Sequence, residues 1–410
     1  MNVSAWLGVG LAALGALAGA PPLLLVGVLV LLVELLRGLW SRYGLRSVSY
    51  ERRLAHDRAV WGDQVDLDVT VWNAKPLPLP WLHADDFVPE ELTIRERTLV
   101  RSDRPGLALL DNTWSLAWYE RVVRHLHVVA DRRGVFRFGA VRLRVADLFA
   151  RETAEEERTL PDALVVRPRT VAVQERLEER ASLGERRARR SLFHDPALFA
   201  GVRPYQPGDP LRHVHWKATA RTGSTVVKRY DPSRQRTLLL ALDGQTIDGP
   251  HWLMTYDESL LEGLCVAAAS LARRALAGGA ECGLAVAAYA GTPRPVAWVA
   301  PAGGSDQLGR ITDTLARISP GASQPYERML ASLPQRISPD ATIVAISGRE
   351  PAPFLPVLGR LARSGYGVQL VAMGAHAREH AASARSAGIE ALTAALDPDW
   401  RSADALALRA

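Results

Sequence analysis

From Ala5 to Leu36 the chain carries one ionisable residue, Glu34, and the run is broken at Pro21-Pro22. An unbroken helix of that length would reach roughly 48 Å at 1.5 Å per residue. A bilayer's hydrocarbon core is only about 30 Å thick. Adjacent prolines inside a helix also remove hydrogen bonds and clash with the preceding turn. The pattern therefore predicts a membrane hairpin, one leg from Val3 to Gly19 and the other from Leu23 to Trp40, with Trp6 and Trp40 as aromatic anchors at one interface; each leg is slightly short, which leaves a single kinked span as the alternative. A signal peptide needs a positive n-region, and no Lys or Arg precedes Arg37. Arg37, Arg42, Arg46, Arg52 and Arg53 follow the block, so the positive-inside rule predicts a multi-pass membrane protein with its bulk in the cytoplasm.

The period then changes. Val65, Leu67, Val69 and Val71 alternate with Gln64, Asp66, Asp68 and Thr70, the mark of a half-buried strand. Trp114, Leu116 and Trp118 repeat it, as do Val141, Leu143 and Val145. Turn signals at Trp61-Gly62-Asp63, Asn73 to Pro80 and Arg133-Gly134 separate these runs, which predicts an all-β immunoglobulin-like sandwich over 46–170. His125 and His127 share one strand face without an evident third metal ligand, so they read as surface or packing residues.

Beyond Thr237 the runs are continuous rather than alternating. Leu238 to Leu242, Leu284 to Tyr289, Thr342 to Ile346 and Val368 to Met373 are apolar, with helical stretches between them. Alternating strand and helix predicts a doubly wound parallel sheet over 237–410, and no Gly-rich phosphate loop follows its first strand. Asp243 ends that strand, where a von Willebrand factor A-like domain begins its D-x-S-x-S cation site. Here Gln245 and Ile247 stand in place of both serines, so neither a metal nor a cofactor is expected.

Between these domains, 171–236 reads as a linker with an arginine-rich stretch at Ala181 to Arg190, followed by the motif Gly201 to Arg221. Pro207-Gly208 makes a turn. Asp209 suits an N-cap, Pro210 the first helical position and Gly223 the stop, which predicts about three helical turns. Arg212 and Trp216 then sit four apart, where guanidinium can stack on indole. A hydrolase or peptidase would recruit Asp209, His213, His215 and Lys217. No nucleophile with an adjacent base accompanies them, and capping, packing and ion pairing account for each. The motif is therefore expected to clamp the soluble domains together rather than catalyse.

Gly201, Arg203, Tyr205, Pro207, Gly208, Asp209, Arg212, Val214, Trp216, Thr219, Ala220 and Arg221 together resemble the pattern of a bacterial family, the domain of unknown function number fifty-eight. The order of segments agrees with that resemblance along nearly the whole chain, and Arg133-Gly134 matches it in the β-domain, while Asp147-Leu148-Phe149 is a shortened version of the family's usual Asp-Pro-Phe-Gly-Leu turn. The resemblance implies partnership with a MoxR-type AAA+ ATPase, beside a transglutaminase-like membrane protein, and implies no known reaction. The expectation is a membrane-anchored, non-enzymatic adaptor or assembly factor. Its expected contact residues are those of the motif other than Val214 and Ala220, with His215, Lys217 and Asp243 added. The net charge of +6 is spread along the chain, so nucleic acid is not an expected partner. Cys265 and Cys282 fit no ligand or disulfide spacing and read as buried thiols.

Overall fold

The structure is a computed structural model that describes residues 3–147, 152–176, 199–206, 214–230, 236–252, 255–291, 294–397 and 399–410. Everything below concerns these residues. Those named above at 148–149, 181–190 and 207–213 lie outside them. The chain divides into two compact units, Met1–Val166 and Arg167–Ala410.

The first unit opens with helix α1 (Val3–Leu17) and helix α2 (Pro21–Tyr43). Gly19, at φ +63°, turns the chain between them, and the two prolines fall at the first helical positions of α2, where their missing N–H groups cost nothing. The helices meet through small residues. A Cβ on Gly15 would lie 2.4 Å from the Leu24 nitrogen, and one on Gly27 only 2.3 Å from the Ala12 nitrogen. Leu25, Val28, Leu29, Leu32 and Leu35 remain exposed along α2. This helix is long and apolar enough to cross a membrane, whereas α1 is apolar but shorter.

Trp40 departs from the expected interfacial anchor. It is 5% exposed and packs with Leu36 on the sandwich core, and its Nε1 donates to the Pro78 carbonyl at 3.0 Å. The cause is continuity: α2 runs directly into the sandwich, with only residues 44–47 before the first strand.

One sheet orders β1 (Val48–Leu54), β3 (Gln64–Asn73), β8 (Arg121–Val129) and β5 (Thr93–Ile94). The other orders β11 (Glu152–Arg158), β10 (Val141–Ala146), β4 (Leu79–Pro89), β7 (Leu107–Leu116) and β6 (Val100–Arg101). A small third sheet joins β2 (Arg58–Val60), β12 (Ala163–Arg167) and β9 (Gly134–Arg137). Val65, Leu67, Val69 and Val71 of β3 are buried against Leu82, Leu110, Leu143 and Val145 of the facing sheet, as two half-buried sheets require. The run Trp114-Leu116-Trp118 stops being a strand at Leu116, because residues 117–120 form the β7–β8 turn.

The second unit is α/β. Its sheet orders β13 (Ala172–Arg176), β22 (Ala405–Arg409), β21 (Glu390–Leu396), β20 (Gly367–Ala372), β19 (Thr342–Ser347), β16 (Thr237–Leu242), β17 (Glu281–Val286) and β18 (Ala297–Ala302). Strands β21, β20, β19, β16 and β17 are mutually parallel, while β18 and β22 run antiparallel to their inner neighbours. β13, from the stretch read as linker, is an edge strand of this sheet. Helix α4 (Glu258–Ala277) packs on β16, β17 and β19. Helices α6 (Tyr326–Ser332), α7 (Leu355–Arg363) and α8 (Ala377–Ser386) share a core with Leu239, Ala241, Ile343 and Ala345. Helix α5 (Ser305–Ala316) packs on α4 and β18. Separate from the sheet, β14 (Phe199–Pro204) and β15 (Val226–Tyr230) pair antiparallel around a short helix α3 (Trp216–Thr222).

Candidate functional site

Counted from β16, the order β18-β17-β16-β19-β20-β21 reads 3-2-1-4-5-6. Connections leave β16 in one direction and β19 in the other, so the crevice between their C-terminal ends is the topological switch point where open α/β sheets take ligands. Asp243 follows β16 and Ser347 ends β19, and both are buried there.

The crevice is filled by the chain's own cation. Arg349 donates to Asp243 Oδ2 through Nε at 3.0 Å and Nη2 at 2.9 Å. Ser347 Oγ donates to the same oxygen at 2.9 Å, and the Gln245 backbone N–H reaches Oδ1 at 3.1 Å. Burial pushes the Asp243 carboxyl above its ordinary value, while Arg349 and these hydrogen bonds pull it down. Gln245, in place of the first serine of a cation site, and its neighbour Thr246 turn to other work. The Gln245 amide donates to the carbonyls of Ile247 and Gly249, and Thr246 Oγ1 accepts from the Asp257 N–H. Asp257 in turn caps α4 by accepting from the Leu260 N–H. Among the described residues no three His, Cys, Asp or Glu side chains converge to hold a metal.

Such a centre gives a buried carboxylate a guanidinium in place of a hard cation. We expect calorimetry on the full chain to show no Mg2+ binding at Asp243. A micromolar dissociation constant that is lost in Asp243→Asn would contradict this.

Around the crevice the loops expose aromatic side chains beside the acidic Asp248, Asp257 and Glu350. Trp252, Tyr256 and Ile247, from the loop after β16, are exposed, as is Tyr289 from the loop after β17. Gly244 ties these loops together, since a Cβ there would fall 2.8 Å from the Ala287 carbonyl oxygen. Sequence reading missed the aromatics because neither period nor motif marks them.

The motif folds on itself. Val214 bridges to Val227, and the His215 N–H donates to the Val226 carbonyl at 2.8 Å, so the backbone is still paired like a strand where the cap signals predicted helix. The helix therefore starts at Trp216, with His215 as its N-cap: Nδ1 accepts from the Ala218 N–H at 3.1 Å. Thr219 Oγ1 accepts from the Val226 N–H, and Tyr205 donates its N–H to Thr225, which closes α3 onto β15. Gly223 ends the helix at φ +69° as predicted, with Arg221 in the last turn. Gly201 and Arg203 lie in β14 and Lys217 in α3, while Pro207, Gly208, Asp209 and Arg212 are outside the described residues. Trp216 is 66% exposed, so the indole has little burial to lose on truncation. No described feature brings Asp243 into this motif.

The chain is thus an apolar helical hairpin, a β-sandwich and a doubly wound α/β unit whose ligand crevice is closed by an internal ion pair. Residues 201–348 match the family model described as Protein of unknown function DUF58, in agreement with the resemblance read from the motif. The Uncharacterized protein YeaD of Bacillus subtilis (strain 168) is 29% identical over 231 residues, 55% of this chain and 54% of that protein. The chain thus spans about half the length of that relative. Among solved structures, the CARDB domain of a Pyrococcus furiosus protein aligns at 16% identity over 29% of this chain and 91% of its own, with a TM-score of 0.20. A cohesin module of a Clostridium perfringens glycoside hydrolase aligns at 10% identity over 29% and 96%, also at 0.20. Likeness at that level carries no argument, and the sandwich rests on its own strand pairing.

Proposed function

We propose that the chain is a membrane-anchored, non-enzymatic adaptor whose α/β unit is von Willebrand factor A-like and works with a MoxR-type AAA+ ATPase. The observation that carries this reading is the C-terminal edge of the sheet. The crevice that would bind a small ligand is closed by Arg349, while the rim presents Trp252, Tyr256 and Tyr289. A closed crevice under an exposed aromatic rim suits a protein contact, because buried aromatics dominate interface energetics. The exposed Trp216 of the motif offers a second such contact. In this reading the α1–α2 hairpin crosses the bilayer twice, the arginines after α2 hold the bulk in the cytoplasm, and a transglutaminase-like membrane protein is a further partner.

The test is capture of the full chain from native membranes. A AAA+ ATPase should co-purify with the parent, and Trp252→Ala with Tyr256→Ala should lower its recovery about tenfold. Absence of any such ATPase from the parent capture would overturn the proposal. So would a hydrolytic turnover that His215→Ala abolishes.

A further inference from the structure

The end of the sandwich from which α2 emerges is unusually aromatic. At this end β1 begins, β3 ends, β4 begins, β7 ends, β8 begins and β10 ends, as the pairs Val48–Asn73, Trp72–Arg121, Leu79–Leu116 and Trp81–Ala146 establish. Trp118 and Tyr119, at the tip of the β7–β8 turn, are 67% and 62% exposed. Trp72, Trp81 and Tyr43 are exposed on the neighbouring strand ends and at the end of α2.

Hydrogen bonds fix this rim to the helix. Trp40 of α2 donates to Pro78, in the loop between β3 and β4. The buried Asn73 amide donates to Leu77 of that loop at 2.9 Å and to Ala117 of the β7–β8 turn at 2.8 Å. Tyr119 donates its N–H to the Lys75 carbonyl, and Ala74 donates to Ser47 just after α2. Tyr119 also sits at φ +56°, a conformation that non-glycine residues rarely adopt. The turn is thus held so that its tip stays outward. The nearby charge is mainly basic: the Arg42 and Arg46 guanidinium groups lie 5.9 and 5.0 Å from the Tyr43 ring, and Arg121 stands opposite Trp72. The one carboxylate of the turn, Glu120, is engaged by the Ala117 N–H.

Exposed Trp and Tyr with Arg, gathered where an apolar helix ends, match the chemistry of the headgroup layer, whose amphipathic environment accepts an indole and pairs a guanidinium with phosphate. We propose that this rim of the sandwich, centred on Trp118 and Tyr119, is seated in the interfacial layer of the bilayer that α2 crosses. The inference rests on the reading of α2 as a membrane span. It adds that the sandwich lies against the membrane in one fixed orientation.

The test uses the full chain, whose two native cysteines are buried, in vesicles of phosphatidylethanolamine and phosphatidylglycerol. Single cysteines at Trp118→Cys, Tyr119→Cys, Leu29→Cys and Glu91→Cys carry an environment-sensitive fluorophore. Quenching is by lipids with a nitroxide near the glycerol end of the acyl chain. Glu91 is exposed just past the far end of β4. The expected result is a blue-shifted emission that loses most of its intensity to the nitroxide at Trp118, Tyr119 and Leu29, with aqueous, unquenched emission at Glu91. Aqueous probes at both Trp118 and Tyr119 beside a quenched Leu29 would overturn the inference and leave the membrane span standing. An aqueous Leu29 would overturn the span, and the inference with it. Blue-shifted but unquenched probes at the rim would mean a protein contact, and would also overturn it.

Discussion

Arg349→Ala is expected to destabilise the α/β unit by about 3–5 kcal/mol, the usual cost of stripping one partner from a buried ion pair. Asp243 is fully buried, and Arg349 is the only basic group bonded to it among the described residues. Without the guanidinium, Ser347 and the Gln245 N–H cannot neutralise the carboxylate. The carboxyl then protonates more readily than burial already favours, so the loss should shrink as pH falls. Arg349→Lys should recover part of it, since an ammonium supplies the charge without the paired Nε and Nη2 donors. Thermal unfolding of the full chain in detergent compares the parent with both variants. If Arg349→Ala melts like its parent, the ion pair does not stabilise the crevice.

A loss of similar size, about 3–5 kcal/mol, is expected for Arg52→Ala in the sandwich. Arg52 is buried between two carboxylates. Nη1 bonds Asp86, Nε bonds Asp162 at 3.0 Å, and Nη2 reaches the Gly139 carbonyl at 3.1 Å. Tyr50 donates its hydroxyl to Asp86 at 2.7 Å. Burial raises Asp86 to about 6, against the pull of Arg52 and the Tyr50 hydrogen bond. The folded state therefore holds this proton more tightly than the unfolded chain does. The stability it confers is present below the ordinary carboxylate range and is lost as pH rises through about 6. Removing Arg52 removes the main opposing charge and raises Asp86 further. The variant should therefore be most damaged at neutral pH and partly recover in mild acid, with Asp86→Asn abolishing that pH dependence. A cost for Arg52→Ala that does not change with pH would show that Asp86 is not the group left uncompensated.

Local signals reached the sequence intact. Pro21-Pro22 marked the turn between the helices because proline has no place inside one, and β3 showed its buried face because side chains alternate on a strand. Gly223 marked its helix end through the left-handed backbone it permits. What failed was set by distant partners. Asp209-Pro210, outside the described residues, was read as opening about three unbroken helical turns, but Val214 and His215 within that span are held by Val227 and Val226 across the hairpin. Trp40 looked like a lipid anchor because its place in the core depends on Pro78. Arg349 carries no local signal, because its partner Asp243 stands 106 positions away. No period or spacing records such a pairing.

The burial of Trp40 has a mechanical consequence. Many anchored proteins hang from a flexible tether that lets the soluble part tumble. Here the indole keys α2 into the sandwich, and residues 44–47 leave no slack. If α2 crosses a bilayer as proposed, a roll or tilt of the helix is delivered to the sandwich as the same roll or tilt. Changes in lipid thickness or in neighbouring helices would then become changes in the angle at which the sandwich meets whatever it touches.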